Sequence, residues 1–188
     1  MTVRLLAFAA SLRRESWNKK LLAAAVPHAR TAGAEVVVHD FRDFEGPIFD
    51  QDLLDAGGLP PGPQAFFDAL GAVDGILLAT PEYNFSIPGS LKNLIDWVSR
   101  VRPHQPLKGK SALLLSTSSG VIGGIRGLWQ TRIPLEGLGV FVYPDMFSNG
   151  PAAQLFADDK ATLRDPKIAG WLEGMVRGYV AWAGALEK

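Results

Sequence analysis

The chain has 188 residues, 47% hydrophobic and 20% charged, with 19 basic side chains against 19 acidic ones and no cysteine. A chain of this length forms one domain, burying roughly 70% of the surface that its unfolded form exposes. Zero cysteines exclude disulfides, thiol redox chemistry and thiolate metal sites, and the neutral total argues against an extended nucleic-acid face or a polybasic membrane anchor.

The first predicted element is a strand over Val3–Ala9. The N-terminal stretch that contains it turns polar too soon for a signal peptide, and no apolar run approaches ~18 residues. A cytoplasmic protein without a membrane partner is expected. A helix follows over Ser16–Ala32, then a strand over Val36–His39 and a long irregular loop over Arg42–Pro63 that ends in "GGLPPGP". Next come a helix over Pro63–Leu70, a strand over Ile76–Ala79 and a helix over Pro88–Arg100, where Leu91, Leu94, Ile95 and Val98 share one face. The remaining elements are a strand over Ala112–Leu115, a helix over Ile125–Leu138, a weaker strand over Val140–Tyr143 and a helix over Pro166–Leu186. In the last helix Ile168, Leu172, Met175, Val176, Tyr179 and Ala183 form a stripe suited to a sheet face. Apolar strands alternating with amphipathic helices predict βαβ units. The expected fold is α/β: one domain over residues 1–188, a doubly wound five-stranded parallel sheet with helices on both faces.

Such sheets bind ligands beyond the carboxyl ends of their strands, at the topological switch point. Three loops qualify: Ala10–Asn18, Thr80–Pro88 and Ser116–Gly124. In the first, "ASLRRESWN", Ser16 is suited to cap the next helix, leaving the N–H groups of Trp17, Asn18 and Lys19 at the positive end of its dipole. With Ser11, Asn18 and the guanidinium of Arg13, these groups suit a monophosphate; the other reading is a plain cap with solvated arginines. Neither the dinucleotide fingerprint nor the Walker sequence is present. The third loop, "STSSGVIGG", is small enough for its backbone N–H groups to approach a flat polar edge, or is a flexible turn. In the second loop Tyr83 and Phe85 suit a planar ring, while Pro81 and Pro88 stiffen the backbone; either aromatic could instead meet a partner subunit or the core. Flavin mononucleotide (FMN) is one ligand whose phosphate, ring and pyrimidine edge explain all three loops together.

The motifs "SLRRESWN" at Ser11–Asn18, "TPEYNFSIPGSLKNLIDWVSR" at Thr80–Arg100 and "TSSGVIGG" at Thr117–Gly124 resemble those of the NADPH-dependent FMN reductase family of flavodoxin-like fold, over roughly residues 3 to 145. The resemblance implies that Ser11, Arg13, Ser16, Trp17 and Asn18 hold the FMN phosphate. By the same carry-over, Pro81, Glu82, Tyr83, Asn84 and Phe85 hold the isoalloxazine ring, and Ser118 and Gly120 its pyrimidine edge. One departure is Ala10, where relatives commonly have glycine; a positive φ there would strain the loop. The implied activity is ping-pong transfer of two electrons from NADPH or NADH through FMN to a quinone, chromate, an azo dye or free flavin. No side chain is required as catalytic acid or base, and Glu82 is read as a ring contact through its backbone. The resemblance also implies a homodimer or homotetramer, with Trp97, Arg126 and Trp129 as candidate contacts beside the flavin loops.

The other conspicuous residues have plainer readings. His28, His39 and His104 lack metal-ligand spacing, and Asp40, Asp43, Asp50, Asp52 and Asp55 lack the calcium-loop pattern. A response-regulator receiver would need an acidic pair where Ala10–Ser11 stands and a phosphorylatable aspartate near Thr80–Pro81. A flavodoxin-type electron carrier without direct NAD(P)H oxidation is the alternative function, disfavoured by the balanced charge.

Overall fold

Apolar runs without alternation become strands covered on both faces, and each run here is tied to its neighbours in parallel. The computed structural model describes residues 2–103, 105–159 and 161–186, so the reading of His104 lies outside the described residues. The strands are β1 (Arg4–Ala9), β2 (Glu35–His39), β3 (Gly75–Ala79), β4 (Ser111–Thr117), β5 (Phe141–Val142) and β6 (Phe147–Asn149). Their order is β2–β1–β3–β4–β5, all parallel, with β6 also paired to β4. The helices are α1 (Trp17–Thr31), α2 (Gln51–Gly57), α3 (Pro61–Gly71), α4 (Gly89–Ser99), α5 (Ile125–Gly137), α6 (Ala152–Leu155) and α7 (Pro166–Leu186). One core lies between the sheet and α1 with α7, and the second between the sheet and α3, α4 and α5. Leu172, Met175, Val176, Tyr179 and Ala183 of the predicted stripe are buried in the first core, and Ile168 packs at its edge.

Three differences from the sequence reading have physical causes. The expected fifth strand is split: β5 pairs with Ser111 and Ala112, whereas β6 pairs with Leu115, Ser116 and Thr117. Pro144 stands between them, and with no N–H to donate it breaks the ladder. The loop expected over Arg42–Pro63 carries a 3-10 turn at Phe41–Phe44 and the whole of α2, and α3 begins inside it. No residue of α2 is buried, so no apolar stripe marks it in the sequence; its caps do, with Asp50 accepting from the Asp52 N–H at 2.9 Å and Gly58 at φ 75°. Trp97, a candidate interface residue, is fully buried and donates its Nε1–H to the Pro47 carbonyl at 2.8 Å, so it anchors the chain after β2 and makes no subunit contact.

Candidate functional site

The chain runs from β1 outward to β2 and then back across to β3, so the switch point lies between β1 and β3. The three loops meet there through hydrogen bonds between them. Ala10 N–H donates to Ala79 C=O at 2.8 Å, Thr80 N–H to Leu115 C=O at 2.9 Å, and Ser116 Oγ–H to Thr80 C=O at 2.7 Å. Asn18 closes the circuit: its side-chain amide donates to Thr117 C=O at 2.9 Å and accepts from Thr117 N–H at 3.0 Å. Each strand end is thus fixed by its neighbour, and the loops share one surface.

In the first loop Ser16 caps α1 by accepting from Asn18 N–H at 3.2 Å, which leaves the N–H groups of Trp17 and Lys19 at the helix start for a ligand. Ser11 and Ser16 are buried, while Arg13 is exposed and has no ion pair among the described residues. Two of the expected phosphate contacts have other partners. Both ends of the Asn18 amide are used on Thr117, and the Trp17 indole stacks on Phe156 with ring centroids 5.4 Å apart, its face under Lys20. Ala10 does not take a positive φ, so the alanine introduces no strain.

Strain lies in the second loop instead. Tyr83 and Ser86 exchange backbone hydrogen bonds at 3.1 and 3.0 Å around Asn84 and Phe85, whose φ values are 51° and 65°. A primed two-residue turn demands that conformation and ordinarily takes asparagine and glycine; an aromatic residue there is under strain. The turn holds Tyr83 51% and Phe85 63% exposed, above the buried Pro81 and Pro88. Glu82 points the other way. Its side chain, 8% exposed, accepts from Arg126 Nε at 2.8 Å and from the Gly127 N–H at 3.1 Å, so a carboxylate from the second loop caps the start of α5. Burial raises its pKa, but the hydrogen bonds from Arg126 and Gly127 outweigh that and hold the group below its ordinary value. The Arg126 guanidinium also lies 4.1 Å from the centre of the Phe85 ring. Gly127 makes the approach possible, since a Cβ there would stand 2.9 Å from Glu82 Cβ and 3.0 Å from its Cα.

In the third loop Ser118 Oγ accepts from Gly120 N–H at 3.2 Å, and Gly123 and Gly124 take φ values of 64° and 93°. The strand and helix that follow brace it: Ala152 N–H donates to Ser118 C=O at 2.7 Å and Ser148 Oγ–H to Ile122 C=O at 2.6 Å. Next to the first loop, Thr117 Oγ1 is the one buried side-chain oxygen or nitrogen without a partner among the described residues. An orphan hydroxyl beside a capped helix start, two unused N–H groups and an unpaired arginine fit a phosphate ester. The small third loop and the exposed Tyr83 and Phe85 fit a flat heterocycle. The pairings of Glu82 with Arg126, Asn18 with Thr117 and Ser118 with Ala152 escaped the sequence reading, because contacts across 34 or more residues leave no local pattern. A separate cavity of about 710 Å³ lies between the ends of α4 and α5 that are remote from these loops.

Among the described residues no group of three or more histidine, aspartate or glutamate side chains converges as metal ligands, and no helix is long and apolar enough to cross a membrane.

The sequence profile of the NADPH-dependent FMN reductase family matches residues 3–154. A quinone reductase of Escherichia coli is 41% identical over 123 residues, 65% of this chain, and the match spans 63% of that relative's length. An NAD(P)H-dependent FMN reductase of Pseudomonas aeruginosa is 32% identical over 98% of this chain and 97% of its own. Among solved structures, the flavoenzyme NAD(P)H:(acceptor) oxidoreductase of Paracoccus denitrificans superposes with a TM-score of 0.84 at 28% identity, covering 98% of each chain.

Proposed function

Since the chain belongs to the NADPH-dependent FMN reductase family, we propose that it is an FMN-carrying NAD(P)H oxidoreductase that delivers two electrons to quinone-type acceptors. The observation that carries this reading is the joining of the three loops at the switch point, with an anion-ready helix start at one end and exposed aromatics at the other. When bound, FMN would supply the hydride chemistry, taking a hydride from NADPH or NADH in one half-reaction and giving two electrons to the acceptor in the other.

The protein's share of the work is binding and orientation. Ser11, Ser16, Arg13 and the N–H groups of Trp17 and Lys19 would hold the phosphate. Asn18 would act indirectly, fixing the first loop to Thr117. Tyr83 and Phe85 would border the ring, positioned by the Glu82–Arg126 pair, and the N–H groups of Ser118 to Gly120 would face its pyrimidine edge, where negative charge develops on reduction. Quinones, chromate, azo dyes and free flavin all suit an open ring face; the quinone class is favoured by the likeness to the Escherichia coli quinone reductase.

The ring side also supports a homodimer. Tyr83, Phe85, Val121, Trp129 and Ile133 are all exposed, and Val121 is 77% so. Exposed apolar residues grouped by a ligand site mark an interface, and a second copy there would shield the ring. Light scattering at micromolar concentration tests it: a monomer with full flavin content and turnover would overturn this contact.

Steady-state oxidation of NADH and NADPH with a quinone, chromate and flavin panel tests the activity. Turnover with either nucleotide is expected, and purified protein should release FMN on denaturation. A flavin reducible by a protein donor but not by NAD(P)H would instead identify an electron carrier.

A further inference from the structure

Strand β2 is an edge of the sheet, and its five residues read Glu-Val-Val-Val-His. Glu35 N–H donates to Val3 C=O at 2.9 Å, so the backbone groups of Glu35, Val37 and His39 turn toward β1. Those of Val36 and Val38 then turn outward, and Arg30 Nη2 reaches the Val36 carbonyl from the open side at 3.1 Å. Val37 and Val38 are 52% and 50% exposed, on opposite faces of the sheet. Val37 shares with Glu35 and His39 a groove of about 160 Å³ beside Ala69 and Val73. Val38 borders another, of about 420 Å³, beside Leu22 and Val26.

We propose that this edge pairs with the same edge of a second copy, β2 running antiparallel to β2 about Val37. The segment is complementary to itself in that register. Glu35 stands opposite His39 of the other copy at both ends, on the same face, so an imidazole whose Nδ1 has Asp43 of its own chain at 3.5 Å meets a second carboxylate at each end. Val36 stands opposite Val38, the outward-turned residues, which is the parity a hydrogen-bonded antiparallel pair requires; Val37 meets Val37 in the non-hydrogen-bonded position. A shift of one residue would turn the wrong backbone groups together, and any shift would separate the charges. Arg30 covers the Val36 carbonyl of the lone chain and must release it, which makes the association reversible. The edge lies across the sheet from β4 and β5, so this contact is distinct from one beside the ring loops.

Because the chain has no cysteine, single replacements report the register cleanly. In the proposed pair the two copies of residue 37 have Cα atoms about 4.5 Å apart, whereas the copies of residue 38 are more than ~7 Å apart, beyond disulfide reach. On mild oxidation of the full-length, FMN-loaded protein near pH 6, Val37→Cys should form an intermolecular disulfide at least ~10-fold faster than Val38→Cys. Adding Glu35→Lys to Val37→Cys should suppress the cross-link, and adding His39→Glu as well should restore it by reversing the charges. Equal cross-linking at 37 and 38, or indifference to Glu35→Lys, would overturn the proposal. So would uncross-linked Val37→Cys at millimolar protein, the result expected if another protein's strand occupies the edge. Flavin content of these variants should equal that of the parent; its loss everywhere would count against the flavin site and not against this pairing.

Discussion

The loop after β1 and the loop after β3 both face the switch point, yet they use their polar groups in opposite ways. The first is relaxed in backbone and rich in unengaged polar groups: Arg13 has no ion pair among the described residues, and the N–H groups of Trp17 and Lys19 stand at the helix start. The second is strained at Phe85, and its one charge, Glu82, is used inside the protein on Arg126 and Gly127. Under the proposed function, the first loop would receive the charge of the ligand and the second would serve as a shaped wall. Flavin binding should therefore depend on side-chain chemistry at the first and on folding energy at the second.

The largest expected effect tests the wall. Glu82→Ala would leave the start of α5 without its cap and Arg126 without its partner, costing about 2–3 kcal/mol in a chemical denaturation midpoint experiment. The same pair sets an acid limit. Because the folded-state pKa of Glu82 is depressed, its contribution is present above the ordinary value of 4.5 and lost as pH falls below it; stability of Glu82→Ala should decline less over that range than that of the parent. Equal acid sensitivity would remove Glu82 from the folding account.

Arg13→Ala breaks the comparison from the other side. It should weaken FMN binding by about 10- to 150-fold, or 1.5–3 kcal/mol, while leaving the stability of the flavin-free protein within experimental error. Flavin titration by fluorescence quenching, paired with thermal melting, separates the two readouts. Ser16→Ala falls between the classes, since the hydroxyl caps α1 and borders the proposed phosphate position. About 1 kcal/mol of stability should be lost together with affinity. The smallest effect is expected for Asn84→Gly: both residues accept the positive φ of the first turn position, so the stability of the flavin-free protein should change by less than about 0.5 kcal/mol. A destabilised glycine variant would mean that the Asn84 side chain holds the turn.

How far the sequence reveals this arrangement depends on the range of the interaction concerned. Strands β1, β3 and β4 are legible because both of their faces are buried and the residues say so. The loops are legible because glycine, proline and hydroxyl residues follow those strands directly. Helix α2 is not, because periodicity reports burial and nothing in α2 is buried. Trp97 lies on the predicted helix either way; what decides between core and interface is the Pro47 carbonyl, 50 residues earlier. Glu82 is conspicuous in its motif, but its pairing with Arg126 is a property of the folded chain.

The amide of Asn18 has a consequence for time rather than for energy. It is the acceptor for the Thr117 N–H, so that hydrogen exchanges with solvent only when the start of α1 lifts away from the end of β4, 99 residues along the chain. A phosphate bound at the helix start would oppose the lifting. The exchange rate of one buried backbone proton on Thr117, followed by deuterium uptake, becomes a clock for events on the first loop, slowing when FMN or its phosphate-bearing tail is added and holding steady with riboflavin at subsaturating levels. Asn18→Asp, which keeps the acceptor and loses the donor, would let the clock run faster without changing its sensitivity to phosphate.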